Sequence, residues 1–111
     1  MHQDVILIGQ AGLGAGDAEL GGLILANFLR MLGERDEKPE YVILWNEGVR
    51  IAVEGSNWIN HLKRLDEQGV KIICCRTCVE YLGLEGQIAV GVIGNMPGIQ
   101  EILLTERVLT V

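Results

Sequence analysis

Short, continuous apolar runs alternate along this chain with stretches whose apolar residues recur at helical spacing. Val5-Ile6-Leu7-Ile8 ends at Gly9 and reads as a strand buried on both faces. After the loop Gly9–Gly16, Asp17 is placed to cap a helix with Leu20, Ile24, Phe28, Met31 and Leu32 on its inner face and Gly33 as its stop. A charged loop over 34–40 leads to a second strand, Tyr41-Val42-Ile43-Leu44-Trp45, which Asn46-Glu47-Gly48 breaks; Val49 to Val53 reads as a short turn. Ser56 reads as the cap of the next helix, with Trp58, Ile59, Leu62 and Leu65 facing inward and Gly69 ending it. Val70 to Cys74 is a third strand, 78–82 a short helix, and Ile88 to Val92 or Ile93 a fourth strand. Asn95 or Met96 then caps a helix carrying Ile99, Ile102 and Leu103, and Arg107 to Val111 offers a small fifth strand.

Strands that alternate with helices predict an α/β fold: a three-layer α/β/α sandwich around a mostly parallel, Rossmann-like sheet of about five strands, wired by right-handed crossovers. At 111 residues the chain is a single domain, 1–111. Hydrophobic residues make up 49% of it and aromatics only 5%, so Ile, Leu and Val carry the core. Such a small, apolar domain, with Trp45 and Trp58 as exposed-looking aromatics, is expected to form a homo-oligomer.

The net charge of −6, with no basic cluster, argues against nucleic acid and anionic membranes as partners. No apolar run has the 18 or more residues of a membrane span, and Met1-His2-Gln3-Asp4 lacks the charged start of a signal peptide. The expected location is the cytoplasm, where three clustered cysteines read as reactive, metal-binding or buried rather than as a disulfide framework.

Ligands of such sheets sit beyond the carboxyl ends of the strands, where Gly9–Gly16, Asn46–Gly48 and Cys75–Thr77 fall. The glycine-rich loop matches neither nucleotide fingerprint. G-x-G-x-x-G begun at Gly12 meets Asp17 in place of glycine, and no Gly-Lys-Ser/Thr is present. It reads as a tight turn into the helix, and no cofactor is expected. The run Cys75-Arg76-Thr77-Cys78 carries more chemistry. Thr77 and Glu80 fit a capping box, which makes Cys78 the first helical residue and leaves Cys75 free ahead of the cap. Helix N–H groups near a sulfur favour thiolate; Arg76 adds to that effect and Glu80 opposes it. Zinc needs more ligands than His2 and His61 offer, so no metal is expected. A C-x-x-C redox pair and a merely buried strand end remain as the other two readings. Because side chains alternate along a strand, Cys75 is expected to open to the crevice and Cys74 to face the core.

These residues place the chain near a known family. Gly16-Asp17 with Glu19-Leu20-Gly21, Asn46 with Gly48-Val49, and Glu54-Gly55-Ser56 match it in order. So do Gly69-Val70 through Cys75-Arg76-Thr77-Cys78, Tyr81-Leu82-Gly83-Leu84, and Gly91 through Asn95-Met96. The chain resembles the DsrE-like superfamily, and within it the C-terminal domain of the YedF-type, sulfurtransferase-like selenium metabolism proteins. The resemblance implies oligomers and a strand-end cysteine, here Cys75, that carries sulfur as a persulfide; on that reading Cys78, three residues on, is expected to resolve it as a disulfide with release of sulfide. Arg76 departs from the frequent Cys-Gly-Thr-Cys. The full-length relatives resemble a fusion with a TusA-like carrier domain that this chain lacks, so a separate sulfur donor or acceptor protein is implied. Cys75 and Cys78 are thus the expected catalytic pair. Gly14, Asp17, Asn46 and Gly48 on the first two loops, and Arg76, Thr77 and Asn95 on the later ones, are the expected substrate-binding positions. The competing expectation is a non-catalytic oligomeric module that binds a small ligand or partner in the same crevice.

Overall fold

The computed structural model describes residues 4–111. Met1, His2 and Gln3, on which the reading of the chain's start and one zinc ligand rested, lie outside them. Five strands, β1 (Val5–Ile8), β2 (Tyr41–Leu44), β3 (Lys71–Cys75), β4 (Val92–Gly94) and β5 (Val108–Thr110), form one all-parallel sheet in the order β4-β3-β2-β1-β5. The helices are α1 (Ala18–Glu34), α2 (Ile59–Glu67), α3 (Arg76–Tyr81) and α4 (Met96–Thr105), and a 3-10 helix spans Asn46–Ala52.

This strand order decides which face each helix covers. From β1 to β4 every step moves the chain the same way across the sheet, whereas β4 to β5 steps back past β1. Right-handed crossovers must then put α1, α2 and α3 on one face and α4 alone on the other. The side chains sort accordingly. Ile6, Ile8, Val42, Leu44, Ile72 and Cys74 pack with Leu25, Leu29, Leu32, Ile59, Leu62, Leu65 and Val79. On the opposite face Val5, Leu7, Ile43 and Cys75 pack with Ile99, and Ile102 and Leu103 lie beside them. The result is the expected three-layer sandwich, with a thin third layer: Tyr41, Trp45, Ile73 and Val108 stay partly exposed next to the single helix α4.

Several local expectations change. Helix α1 buries Gly21, Leu25, Leu29, Leu32 and Gly33, while Leu20, Ile24 and Met31 are exposed and Phe28 is partly covered. The helix is apolar on nearly all sides, so spacing alone did not select its inner face. Close approach did: a Cβ on Gly21 would press on the Leu13 carbonyl at 3.0 Å, and one on Gly33 would meet the Arg64 side chain at 3.4 Å. Gly33 therefore lies inside the last turn and does not end the helix. Ser56 precedes α2 by a turn; its hydroxyl donates to the Ile51 carbonyl at 2.6 Å and accepts from the Trp58 N–H at 3.3 Å. The fourth strand is shorter and later than expected, because Ile88 leaves the parallel ladder for an antiparallel bridge to Val53. Asp17 and Asn95 do cap α1 and α4, accepting from the N–H groups of Leu20 and Gly98. Among the described residues no helix is long and apolar enough to cross a membrane.

Candidate functional site

At the carboxyl ends of β2, β3 and β4 lies a cleft of about 540 Å³. Trp45, Asn46 and Glu47 line it from the turn after β2, Cys75 from the end of β3, Thr77, Cys78, Tyr81 and Leu82 from α3, and Met96 from the start of α4. Two of the three expected strand-end loops meet here. The third does not: Ala11, of the glycine-rich loop, lines a separate cavity with α1 and Trp58.

Helix α3 begins earlier than a Thr77 cap requires. Cys75 itself occupies the N-cap position with extended backbone, Arg76 is the first helical residue, and no side chain caps this end. The shift moves Cys78 from the first helical position to the third. It also changes which sulfur is accessible. Cys75, 2% exposed, is buried against Val5, Leu7, Ile43 and Ile99, whereas Cys78 is partly exposed at the seam between the two cores. Cys74 and Cys75 do face opposite sides of the sheet, but the α4 side is packed at this point, so the strand end alone does not open Cys75 to the crevice.

All three cysteines are free thiols. The Cys78 Sγ accepts the backbone N–H of Asn46 at 3.0 Å and is hydrogen-bonded to the Cys75 side chain. Burial pushes the Cys78 thiol above the ordinary value; the Asn46 N–H opposes that shift and the contact with Cys75 adds to it. Burial, followed by the neighbouring Cys75, pushes Cys74 up to about 12. The helix N–H groups expected to favour a Cys78 thiolate are thus outweighed by desolvation.

Of the other expected positions, Asn46 and Thr77 line the cleft; Gly14, Asp17, Gly48, Arg76 and Asn95 do not. Gly14 sits on the exposed loop with φ 78°, and Asp17 and Asn95 are spent on their helix caps. Gly48 is buried under the end of β1, where a Cβ would collide with the Ile8 carbonyl oxygen. Trp45, Glu47, Tyr81, Leu82 and Met96 line the cleft without having been among the expected site residues, although Glu47 lies in the expected Asn46–Gly48 loop. Tyr81 and Leu82 follow Cys78 by a helical turn, the signal available for those two. Glu47, the only charged residue of the lining, is ion-paired with Arg50 of the same turn. Among the described residues no three His, Cys, Asp or Glu side chains converge as a metal site.

No protein-family model and no curated protein matches the chain. Solved structures do. YchN from E. coli superposes with a TM-score of 0.74 at 20% identity, covering 98% of this chain and 99% of its own. MTH1491 from Methanobacterium thermoautotrophicum, a protein of unknown function, gives 0.70 at 18% over the whole of both chains. BT1422 from Bacteroides thetaiotaomicron, also of unknown function, gives 0.69 at 18% over 97% and 95%. The chain has the DsrE-like fold. At these identities the likeness is one of fold, and the chemistry has to be argued from the cleft.

Proposed function

We propose that this protein is a sulfur or selenium carrier of the sulfurtransferase-like, YedF-related kind, in which the Cys75–Cys78 pair takes up sulfur from a persulfide-bearing partner, a TusA-like carrier being the partner class that the resemblance implies. The observation that carries the reading is the pairing of two free thiols at the floor of the cleft, the outer one held by a backbone N–H. Cys78, being the exposed member, is the first sulfur to react. Its thiolate attacks the outer sulfur of a donor persulfide, R–S–SH. A new S–S bond forms on Cys78, the donor's S–S bond breaks, and R–S⁻ leaves and takes a proton. Delivery to an acceptor thiolate repeats the step in reverse roles. With no acceptor present, the Cys75 thiolate attacks the inner sulfur of the Cys78 persulfide. HS⁻ leaves, the two cysteines end as a disulfide, and an external dithiol is then needed to reduce it.

The lining also selects among donors. Among the described residues no cation lines the cleft, and its one carboxylate is paired with Arg50, so a dianion such as thiosulfate finds no free countercharge there. Trp45, Tyr81, Leu82 and Met96 instead suit an uncharged or protein-borne persulfide. Persulfide uptake by Cys75→Ser and Cys78→Ser tests the order. We expect loss in Cys78→Ser, and uptake with a longer-lived adduct in Cys75→Ser; the opposite pattern restores Cys75 as the receiving sulfur.

The raised Cys78 thiol favours a second reading, a non-catalytic module that binds a partner or small ligand in the cleft, because a nucleophilic thiol is usually tuned downward. If neither cysteine is alkylated until the protein unfolds, this second reading stands.

A further inference from the structure

Asn46 is the one residue other than glycine with positive φ among the described residues, at 51°. It sits two residues after the end of β2, at the first position of the 3-10 helix, and its N–H is the donor to Cys78 Sγ. The backbone on either side is fixed. Trp45 N–H donates to the Ile8 carbonyl at 3.2 Å, Gly48 N–H to the Trp45 carbonyl at 3.0 Å, and Gly48, Val49, Ile51 and Ala52 are buried. The turn is therefore held at both ends, and the left-handed residue between them sets the direction of the amide.

We infer that Asn46 is a positioning residue, acting through its backbone: its left-handed conformation aims the amide N–H at Cys78 Sγ, and asparagine stands there because it accepts that conformation. The side chain contributes conformational tolerance, since Asn enters the left-handed region far more readily than a β-branched residue. The inference rests on Cys78 being the reacting sulfur of the proposed function. A hydrogen bond to the charged form favours it, so the amide partly offsets the desolvation of the Cys78 thiolate. The other titratable groups that line the cleft with Cys78 are the Cys75 thiol, the Tyr81 phenol and the Glu47 carboxylate, the last ion-paired with Arg50.

The test is site-resolved alkylation of Cys78 as a function of pH in the full-length protein, comparing wild type with Asn46→Gly, Asn46→Ala and Asn46→Val. Glycine takes positive φ freely. Asn46→Gly should therefore keep the wild-type midpoint although it lacks the side-chain amide. Ala and then Val should move the midpoint progressively upward. Loss of a hydrogen bond to a charged group lowers the thiolate population at fixed pH by about tenfold. The rate falls by less, roughly threefold, because a more basic thiolate is more nucleophilic; hence the midpoint is the readout. Should Asn46→Val fail to fold by circular dichroism, the Gly–Ala pair decides. An Asn46→Gly midpoint displaced as far as that of Ala or Val, or no displacement in either, overturns the inference. Persulfide uptake measured on the same variants separates the two claims. The expected midpoints without any uptake in wild type would sustain the positioning role and remove the sulfur-carrier reading. Uptake at Cys78 with unmoved midpoints would do the reverse.

Discussion

One added methyl group tests why position 48 is glycine. Its Cβ would strike the Ile8 carbonyl, so the 3-10 turn would have to lift off the end of β1 and carry Asn46 with it. Gly48→Ala should lower folding stability by about 3 kcal/mol, the upper end for overpacking, as measured by urea denaturation. An unchanged midpoint would mean that the turn yields easily. Cys74 makes a different prediction. It lies fully buried on β3 with its thiol raised to about 12, so the folded state holds that proton more tightly than the unfolded chain, whose cysteine titrates near the usual 9. The stabilisation is complete below the unfolded value and is lost as pH rises through the folded one. Denaturation midpoints should therefore decline above about pH 9, and Cys74→Ala, less stable at neutral pH through the volume it loses, should show a flatter decline. Equal slopes in the two proteins would assign the alkaline loss to other groups.

Helix α1 shows at the level of the element what was and was not legible in the sequence. Its start was legible because Asp17 is a chemically specific cap. Its inner face was not, because Leu20, Leu23, Ile24 and Met31 repeat at the same spacing as Leu25, Leu29 and Leu32. The choice between the stripes is made by glycine backbones meeting the Gly12–Leu13 loop and the Arg64 stem, which are tertiary contacts. The strands were read more successfully, since buried parallel strands are plain apolar runs. The fourth was the exception: Ile88 and Ala89, expected within it, are drawn instead to the Ala52–Val53 backbone, and β4 begins only at Val92. At the site, the C-x-x-C spacing and the strand-end position were visible, but the register of α3 was not. Thr77 and Glu80 resemble a cap, yet the helix begins at Arg76, and that shift decides which cysteine meets solvent. The face assignment is open to test: Leu25→Ala should cost about 2–5 kcal/mol of stability and Leu20→Ala well under 1 in the monomer. Comparable losses would place both stripes in the core.

For the whole molecule, the wiring of the sheet explains where the cleft lies and why. Three crossovers in one direction and one in the other leave a single helix on the second face, and the cleft opens where α3 and the start of α4 flank the strand ends. The two tryptophans expected to seek partners are in fact half-buried, and the Trp58 indole N–H is satisfied by the Gly22 carbonyl at 3.0 Å. An exposed apolar stripe runs instead along the outer side of α1, through Leu20, Leu23, Ile24 and Met31, and we propose that it closes a homo-oligomer. Light scattering should return a multiple of the 12.2 kDa chain mass at micromolar concentration, and Leu20→Glu with Leu23→Glu should reduce it; a monomer at all concentrations would contradict the proposal. The central claim concerns the cleft. Its most direct test is peptide-resolved mass spectrometry of the wild-type protein after brief exposure to a protein-borne persulfide. The account predicts the mass of one added sulfur atom on the residue Cys78, with a Cys75–Cys78 disulfide growing in as that adduct decays. A protein that gains no sulfur on either cysteine while its donor stays loaded would contradict it.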